Sequence, residues 1–200
     1  MIKIISTHAV SNVYLLNYLR GRKIDFEIAT KYLVQVRFQL SANGKIFYAI
    51  GFKNNAGGFE LRNAFFKVSS SPKFISYFNN GSDQITVFED VFDFLSYLSI
   101  TKNGTNQLTN FLVLNSLSLF ERSLLLMEKH EQVFLYLGSC PAARKCVSIA
   151  KSRSKKYIDQ SSLFKGFKDF NEWHINIDRS FSFEQPYSQL RHETLPESPA

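Results

Sequence analysis

The sequence predicts an α/β protein in which two short helices and an antiparallel β meander precede a parallel sheet with flanking helices. Between about residues 34 and 68, apolar runs alternate with polar residues and are separated by turns rich in Asn and Gly. From residue 84 onward, strand-like runs alternate with helical patterns, which is typical of parallel strands joined by right-handed crossovers. With 44% hydrophobic and 15% aromatic residues, the 200-residue chain can bury a substantial core.

The first region, residues 1–80, contains the two helices and the meander. Residues 10–21 have helical apolar spacing and end at a glycine, and Asp25 is placed to cap a second helix in DFEIATKYL. The runs VQVRFQL, KIFYAIGF and GGFELRNAFFKV follow as strands. Asn43-Gly44, between the first two runs, predicts a hairpin.

The second region, residues 81–177, contains the strand–helix alternation. The predicted strands are QITVFE, NFLVLN and QVFLYL, and the helices that follow them are DVFDFLSYLSI, SLFERSLLLMEKH and a basic helix from Pro141. Ser118 and Glu121 are spaced as a capping box for the second helix. FKDFNEWHI predicts a further short helix, and the polar, proline-containing residues 178–200 predict a poorly ordered tail.

The two cysteines do not suggest a disulfide. Cys140 and Cys146 lie six residues apart in what resembles one helix, a spacing that puts them on different faces. The four His are scattered, and no Cys/His spacing resembles a zinc site. No segment is long and apolar enough to span a membrane, and the N-terminus lacks a signal-peptide pattern, so we expect a cytoplasmic protein with no zinc and no membrane partner.

Four stretches occur in an order that resembles the successive motifs of a known family. They are VFEDVFDFLSYL, FLVLNSLSLFERSL, FLYLGSCPAARKCV and FKDFNEW, and they resemble the Toprim domain of DNA primases in the version carried by mobile elements of gut bacteria. FYAIGFKNNAGGFELRNAFFK is similar to the region that precedes Toprim in those proteins. The resemblance covers roughly residues 14–173, without a counterpart of the family's zinc-binding module. It implies a Toprim-like sheet whose strand-end carboxylates hold Mg²⁺ for phosphoryl chemistry on nucleotides or DNA.

The resemblance also implies a degenerate active site. Glu89 stands at the family's strand-end Glu, Asp169 matches an acid of its later motif, and Asp93 follows Glu89 by one helical turn. Gly138 and Cys140 stand where the family has the two aspartates of its Asp-x-Asp motif, and neither residue offers Mg²⁺ a hard oxygen ligand. The family tends to place a glycine after its Glu, whereas this chain has an aspartate there. We therefore expect Mg²⁺ to bind weakly at most, through the three remaining acids.

Both structural and functional interpretations apply to these residues. On the residues alone, Glu89 also fits an ordinary strand-end carboxylate, and Asp169 also fits a helix-start residue. Cys140 lies near Arg144 at a helix start, but a phosphatase-type loop needs an arginine where this chain has Cys146. We expect Cys140 to be a small, inert residue rather than a nucleophile.

Charge favours a polyanionic partner. Lys and Arg number 24 against 17 Asp and Glu, for a formal net charge of +7. A run without acids, called here the basic run, contains Arg144, Lys145, Lys151, Arg153, Lys155 and Lys156. It fits a solvated helix face or a DNA-binding surface, and the surrounding resemblance favours DNA, with Arg62 and Lys67 of the meander as further contacts.

These observations leave several functions open. The favoured one is a primase-like protein that binds DNA, single-stranded or template-primer, in replication or transfer of a mobile element, alongside replication or transfer proteins and with weak or absent catalysis. The alternatives are an active Mg²⁺-dependent primase or nucleotidyltransferase using Glu89, Asp93 and Asp169, a non-enzymatic protein-interaction module, and a thiol enzyme at Cys140. The missing aspartates disfavour the active enzyme, and the clustered cations disfavour a purely apolar interaction module.

Overall fold

The computed structural model describes residues 2–40, 44–101 and 109–177. Its first sheet is antiparallel, with its strands paired in chain order. The strands are β1 (Ile2–His8), β2 (Leu33–Leu40), β3 (Ile46–Lys53), β4 (Phe59–Arg62) and β5 (Lys67–Ser69). Helices α1 (Val13–Gly21) and α2 (Phe26–Tyr32) connect β1 to β2. The predicted helices and meander are confirmed, and β1 is an additional strand that the sequence did not indicate.

Side-chain caps begin both of these helices. The Asn12 Oδ1 atom accepts hydrogen bonds from the amides of Tyr14 and Leu15 at the start of α1. The Asp25 Oδ1 atom accepts from Ile28 N, so the cap predicted for the second helix is confirmed. The hairpin predicted at Asn43-Gly44 and the tail predicted over residues 178–200 lie wholly or partly outside the described residues.

The first sheet buries apolar side chains on both faces. Leu33, Ile50 and Phe52 join the main core of the protein, which lies against the second sheet. The alternate residues of the same strands, among them Val36 and Phe38, form a separate buried cluster from side chains of the first sheet itself. Because successive side chains of a strand point to opposite faces, the meander contributes to two cores at once.

The second sheet has the strand order β10-β9-β7-β8-β6 and is parallel except for β6. Its strands are β6 (Ser76–Phe78), β7 (Gln84–Phe88), β8 (Asn110–Val113), β9 (Gln132–Tyr136) and β10 (Tyr157–Asp159). Its helices are α3 (Val91–Thr101), α4 (Phe120–Met127), α5 (Pro141–Arg153) and α6 (Phe170–Asn176). The predicted strand–helix alternation is confirmed. The short strands β6 and β10 were not predicted, and β6 precedes residue 81 although it pairs in the second sheet.

Helices cover both faces of the second sheet. Helices α3 and α6 pack on one face together with α1, α2 and part of the first sheet, and α4 and α5 pack on the other. Phenylalanines fill the first of these cores, where the Phe88 ring lies 5.7 Å from Phe94 and 5.4 Å from Tyr136. Truncating a buried Phe of this kind typically costs about 3–5 kcal/mol of unfolding free energy. None of the described helices has the length and apolar character needed to cross a membrane.

The predicted capping box at Ser118 and Glu121 is wrong. The chain first makes a short 3₁₀ turn over Leu117–Leu119, and Ser116 Oγ accepts the amide of Ser118 at 3.3 Å. Helix α4 then begins at Phe120 without a side-chain cap. The 3₁₀ turn thus moves the start of the α-helix beyond the residue that the motif indicated.

Candidate functional site

The carboxyl ends of β7 and β9 lie side by side. The two strands are paired in parallel, with Phe88 opposite Tyr136. The chain continues from these ends to Glu89 and Gly138, and the Gly138 amide donates to Glu89 Oε2 at 3.2 Å. Because β7 and β9 are parallel neighbours, the loops that follow them leave the sheet at the same end, and residues distant in sequence meet there. The structure thus places Glu89 beside the Gly138 turn.

A cavity of about 320 Å³ opens at this edge, between the second sheet and the β4–β5 turn of the first sheet. We call it the strand-end cavity. Its charged lining residues are Arg22, Arg62, Lys67, Lys168, Glu89, Asp90, Asp93 and Asp169. Gly138 and Cys140, the two positions predicted to be degenerate, also line it, and the aromatic residues at its walls are Tyr18, Phe65, Phe66 and Phe92. The structure therefore brings together all the acids and both degenerate positions that the sequence singled out.

Asp93 is the most deeply placed of the predicted acids. Its side chain lies within α3, the residue is 2% exposed, and its Oδ1 atom accepts the Asn171 amide at 3.0 Å. Burial, together with the negative charges of Asp169 and Asp90, raises the pKa of the Asp93 carboxyl well above its ordinary value. Asp93 is therefore poised to hold a proton at a pH where a surface aspartate would be ionised.

Glu89 and Asp169 are also tied to the backbone. Burial raises the pKa of Glu89, and the Gly138 amide and the Lys67 charge partly oppose that rise. Asp169 is the N-cap of α6, because its Oδ1 atom accepts the amide of Glu172 at 2.8 Å. The interpretation of Asp169 as a helix-start residue is confirmed.

This donor set does not fit Mg²⁺ well. Each of the three acids already has one oxygen bound to a main-chain amide. Within residues 2–40, 44–101 and 109–177, no three side chains of His, Cys, Asp or Glu are grouped so as to hold a metal ion. A hard octahedral cation needs several free oxygens in defined directions, which a glycine and a thiol do not supply.

Arg62 and Asp90 connect the two sheets through a buried ion pair. Arg62 Nη2 lies 2.9 Å from Asp90 Oδ2 and 3.3 Å from Glu60 Oε2, and the Arg62 side chain is only 5% exposed. Lys67 Nζ lies 3.1 Å from the same Asp90 oxygen. Sequence reasoning noted Asp90 only as a departure from the family and assigned Arg62 to DNA. The structure instead gives Arg62 two carboxylate partners, whereas Lys67 is 69% exposed.

The basic run does not form one surface. Helix α5 begins at the carboxyl ends of the parallel strands, beside the strand-end cavity, and runs back toward their amino ends. Arg144 and Lys151 line a second groove of about 770 Å³ that adjoins Gly138 and also contains Lys165. Lys145 lies in a different groove, beside α4.

The last residues of the basic run lie at the amino ends of the parallel strands, which we call the far edge. Lys156 Nζ pairs with Glu128 Oε2 at 3.0 Å and also donates to the main-chain oxygens of Glu128 and His130. Arg153 and Lys155 are exposed next to it, close to the start of β10. The basic run therefore separates in space. The site-edge group, Arg144 and Lys151, lines the groove next to Gly138, Lys145 lies in a different groove, and the far-edge group, Arg153, Lys155 and Lys156, does not line the groove next to Gly138.

Sequence reasoning missed several residues of the cavity. Arg22 follows α1, donates to Asn171 Oδ1 at 2.9 Å, and lies over the rings of Tyr18 and Phe92 at 5.4 and 5.1 Å. No local pattern points to Arg22, because it reaches the cavity only through packing of α1 against α3. Lys168 was detectable as the neighbour of Asp169. Phe65 was hidden inside a run interpreted as a strand.

An antiparallel meander packs against a largely parallel sheet that carries acids at the carboxyl ends of its strands, and solved primase structures have a similar fold. The primase fragment of the bacteriophage T7 primase-helicase protein is similar to the chain, with a TM-score of 0.57 and 21% identity over 85% of this chain and 75% of that one. A chain from the structure of bacteriophage T7 lagging-strand DNA polymerase interacting with primase domains bound to an RNA/DNA hybrid and dTTP is also similar. Its TM-score is 0.50, with 18% identity over 84% of this chain and 92% of that one. At these identities the likeness establishes the fold, and the predicted fold class is confirmed.

Sequence comparisons add one regional match. Residues 4–71 match a family model described as a domain of unknown function, DUF8464. This span contains the first sheet and the helices α1 and α2. No curated protein matches the chain significantly.

Proposed function

We propose that the chain is a primase-like protein that binds DNA, single-stranded or template-primer, during replication or transfer of a mobile element, and that its nucleotidyl transfer is weak or absent. One observation carries the proposal. A primase-like fold retains a strand-end cavity with cations at its rim, while Gly138 and Cys140 occupy the positions where the resemblance implies metal-binding aspartates. Replication or transfer proteins are the expected partners.

Support for DNA comes from the arrangement of cations around the site. Lys67 and Lys168 are exposed at the strand-end cavity. Arg144, Lys151 and Lys165 line the adjoining groove, which shares Gly138 with the cavity. Because Gly138 lines both openings, they adjoin, and a phosphate backbone that passed from one to the other would contact successive cations.

Support for weak catalysis comes from the acids. Phosphoryl transfer in this fold class depends on Mg²⁺ to neutralise charge on the reacting phosphate. Asp93 has a raised pKa, and one oxygen each of Asp93, Glu89 and Asp169 is bound to a main-chain amide. We expect any Mg²⁺ held by these three residues to keep most of its water and to exchange readily.

The test of DNA binding uses two double variants that remove the same charge, one from the cations that line the groove next to Gly138 and one from cations that do not line it. Arg144→Gln with Lys151→Gln removes the site-edge cations, and Arg153→Gln with Lys155→Gln removes far-edge cations. Fluorescence anisotropy with a single-stranded oligonucleotide and with a template-primer is measured at several salt concentrations. The site-edge variant should lose affinity and flatten the plot of log K against log salt by about 1.4, from roughly 0.7 per lost phosphate contact on a single strand.

The far-edge variant is the matched control, because its net charge is the same. Its affinity and salt slope should stay close to those of the unaltered protein. Equal losses in both variants would mean that binding reflects net charge alone, and absence of binding by the unaltered protein would refute DNA binding altogether.

Catalysis is tested by Mg²⁺-dependent primer synthesis and by calorimetric titration of Mg²⁺. The unaltered protein should bind Mg²⁺ weakly and make little or no primer. Gly138→Asp with Cys140→Asp should raise the Mg²⁺ affinity, because it adds two carboxylates at the same edge. Tight Mg²⁺ binding by the unaltered protein, without improvement in the double variant, would show that the proposed degeneracy is misplaced.

A further inference from the structure

The turn between β4 and β5 leaves one aromatic ring in solvent beside the strand-end cavity. Phe65 is 88% exposed, the highest value among the large hydrophobic side chains of the described residues that are exposed. It lines the cavity together with Lys67, which lies two residues later at the start of β5. Most of the Phe65 ring is therefore accessible to a ligand.

The turn itself is firmly held. Asn63 Oδ1 accepts the amides of Phe65 and Phe66, each at 2.8 Å, and the Asn63 side-chain amide donates to the main-chain oxygen of Tyr48 at 2.8 Å. The Phe66 ring packs against Phe47 at 5.0 Å. Two backbone amides of the turn are therefore held by the Asn63 side chain, which is itself bonded to the first sheet, and the Phe66 ring packs on that sheet, whereas the Phe65 ring stands apart from these contacts. Such anchoring reduces the entropy lost when a ligand contacts the ring.

We propose that Phe65 is a stacking platform for a nucleobase of single-stranded DNA, whose adjacent phosphate contacts Lys67 or Lys168. This inference rests on the proposed function, because it assigns a residue to base contact in the same strand. An exposed aromatic ring next to exposed ammonium groups is the pair of features with which proteins bind single strands without sequence preference. The inner cavity carries Glu89 and Asp93, so the phosphate is held at the rim and the ring lies where a base can reach it.

The first experiment measures affinity for a dT oligonucleotide of about 16 nucleotides and for an abasic strand of the same length. Phe65→Ala should weaken binding of the dT strand by about 5- to 150-fold, the usual range for loss of one stacked base. The salt slope should not change, since a phenyl ring releases no counterions. Binding of the abasic strand should be the same for the variant and the unaltered protein.

The controls separate stacking from general apolar contact. Phe65→Leu keeps apolar area without a π face and should bind as weakly as Phe65→Ala, whereas Phe65→Tyr should bind normally. Leu125→Ala removes another exposed apolar side chain, 78% exposed on α4, and should have no effect. Unchanged melting temperatures would confirm that all variants are folded.

A fluorescent variant reports the contact directly. The chain has one Trp, and Trp173 is 6% exposed within the core. Phe65→Trp should therefore add a solvent-exposed emitter whose fluorescence is quenched by the dT strand but not by the abasic strand. DNA binding that is normal in Phe65→Ala or Phe65→Leu would overturn the stacking role and leave the proposed function intact. Absence of DNA binding by the unaltered protein would overturn both, and would favour Phe65 as a contact for a protein partner.

Discussion

Replacing Asp90 with asparagine tests whether the buried ion pair stabilises the contact between the two sheets. Asparagine has the same shape and keeps an oxygen that can accept the Phe92 amide, which Asp90 Oδ1 binds at 3.1 Å. The change removes the negative charge that lies 2.9 Å from Arg62 and 3.1 Å from Lys67. Arg62 would then keep only Glu60 as a charged partner, at 3.3 Å.

The pKa of Asp90 gives the magnitude. Burial by itself would raise this pKa, but the charges of Arg62 and Lys67 and the hydrogen bonds outweigh it and lower the pKa from 3.8 to about 2. A lowering of that size corresponds to roughly 2.4 kcal/mol of unfolding free energy. Leaving Arg62 under-paired in a buried position adds to the loss, so Asp90→Asn should cost about 2–4 kcal/mol at pH 7.

The sign of the pH dependence follows from the same shift. Because the pKa is lower in the folded state than in the unfolded state, the stabilisation is fully present above pH 3.8 and is lost as the pH falls toward 2. At pH 3 about half of the charge contribution, roughly 1.3 kcal/mol, should remain. The free-energy difference between the unaltered protein and Asp90→Asn should therefore narrow between pH 7 and pH 3.

Urea unfolding followed by circular dichroism at both pH values measures this difference. Asp83→Asn is the matched control, since Asp83 is exposed and the substitution changes charge in the same way. Its effect should stay within about 0.5 kcal/mol. A loss for Asp90→Asn that is equally large at both pH values would refute the electrostatic explanation, and a loss below about 0.5 kcal/mol would refute the importance of the ion pair.

Three further substitutions test the site and its surroundings. Gly138→Ala should lower the unfolding free energy by about 1–3 kcal/mol, because a Cβ there lies 3.1 Å from both a carboxylate and a main-chain oxygen; a change as small as that of the exposed Cys140→Ser would contradict this. Asp93→Asn should raise the melting temperature at neutral pH, since burial and neighbouring acids raise the Asp93 pKa and penalise its ionised form; a lower melting temperature would argue against it. Burial and a nearby lysine lower the pKa of His174 from 6.5 to about 4. The neutral ring therefore contributes to the unfolding free energy in full above pH 6.5, and this contribution is lost as the pH falls toward 4. His174→Phe should remove roughly 3 kcal/mol of that acid sensitivity in urea unfolding, and an unchanged pH dependence would exclude the assignment.

The local sequence pattern was sufficient to predict most strands and helices of the second sheet, but it did not predict the two outer strands, β6 and β10. The strands before Glu89 and Gly138 are apolar runs with helical patterns after them, and such runs can be recognised without tertiary information. Strands β6 and β10 have three residues each, too few to show a period. Their pairing depends on neighbouring strands that the chain supplies elsewhere.

The composition of the cavity could be predicted only in part, for a related reason. Its acids follow strand ends, where sequence motifs indicate sites. Arg22 and Phe65 reach the cavity because α1 and the β4–β5 turn pack across the edge of the second sheet, and no spacing along the chain encodes that contact. The basic run looked like one surface in the sequence but is not one in the structure. A 13-residue helix spreads its charges along the length of the strands and over several of its faces.

Main-chain and carboxylate oxygens fill the space beside Gly138 at the carboxyl ends of the strands. Gly138 has no side chain, and the main-chain oxygen of Lys168 occupies the adjacent space, where it accepts the Ser139 amide at 2.9 Å and the Ser139 hydroxyl at 3.1 Å. A Cβ at position 138 would lie 3.1 Å from that oxygen and equally close to Glu89 Oε2, so an aspartate there requires these neighbours to move by a few tenths of an ångström. Meanwhile the charge of Asp90 is balanced by Arg62 and Lys67 within the protein. Restoring two carboxylates therefore adds ligands but also strain and repulsion, and we expect it to restore Mg²⁺ affinity more readily than activity.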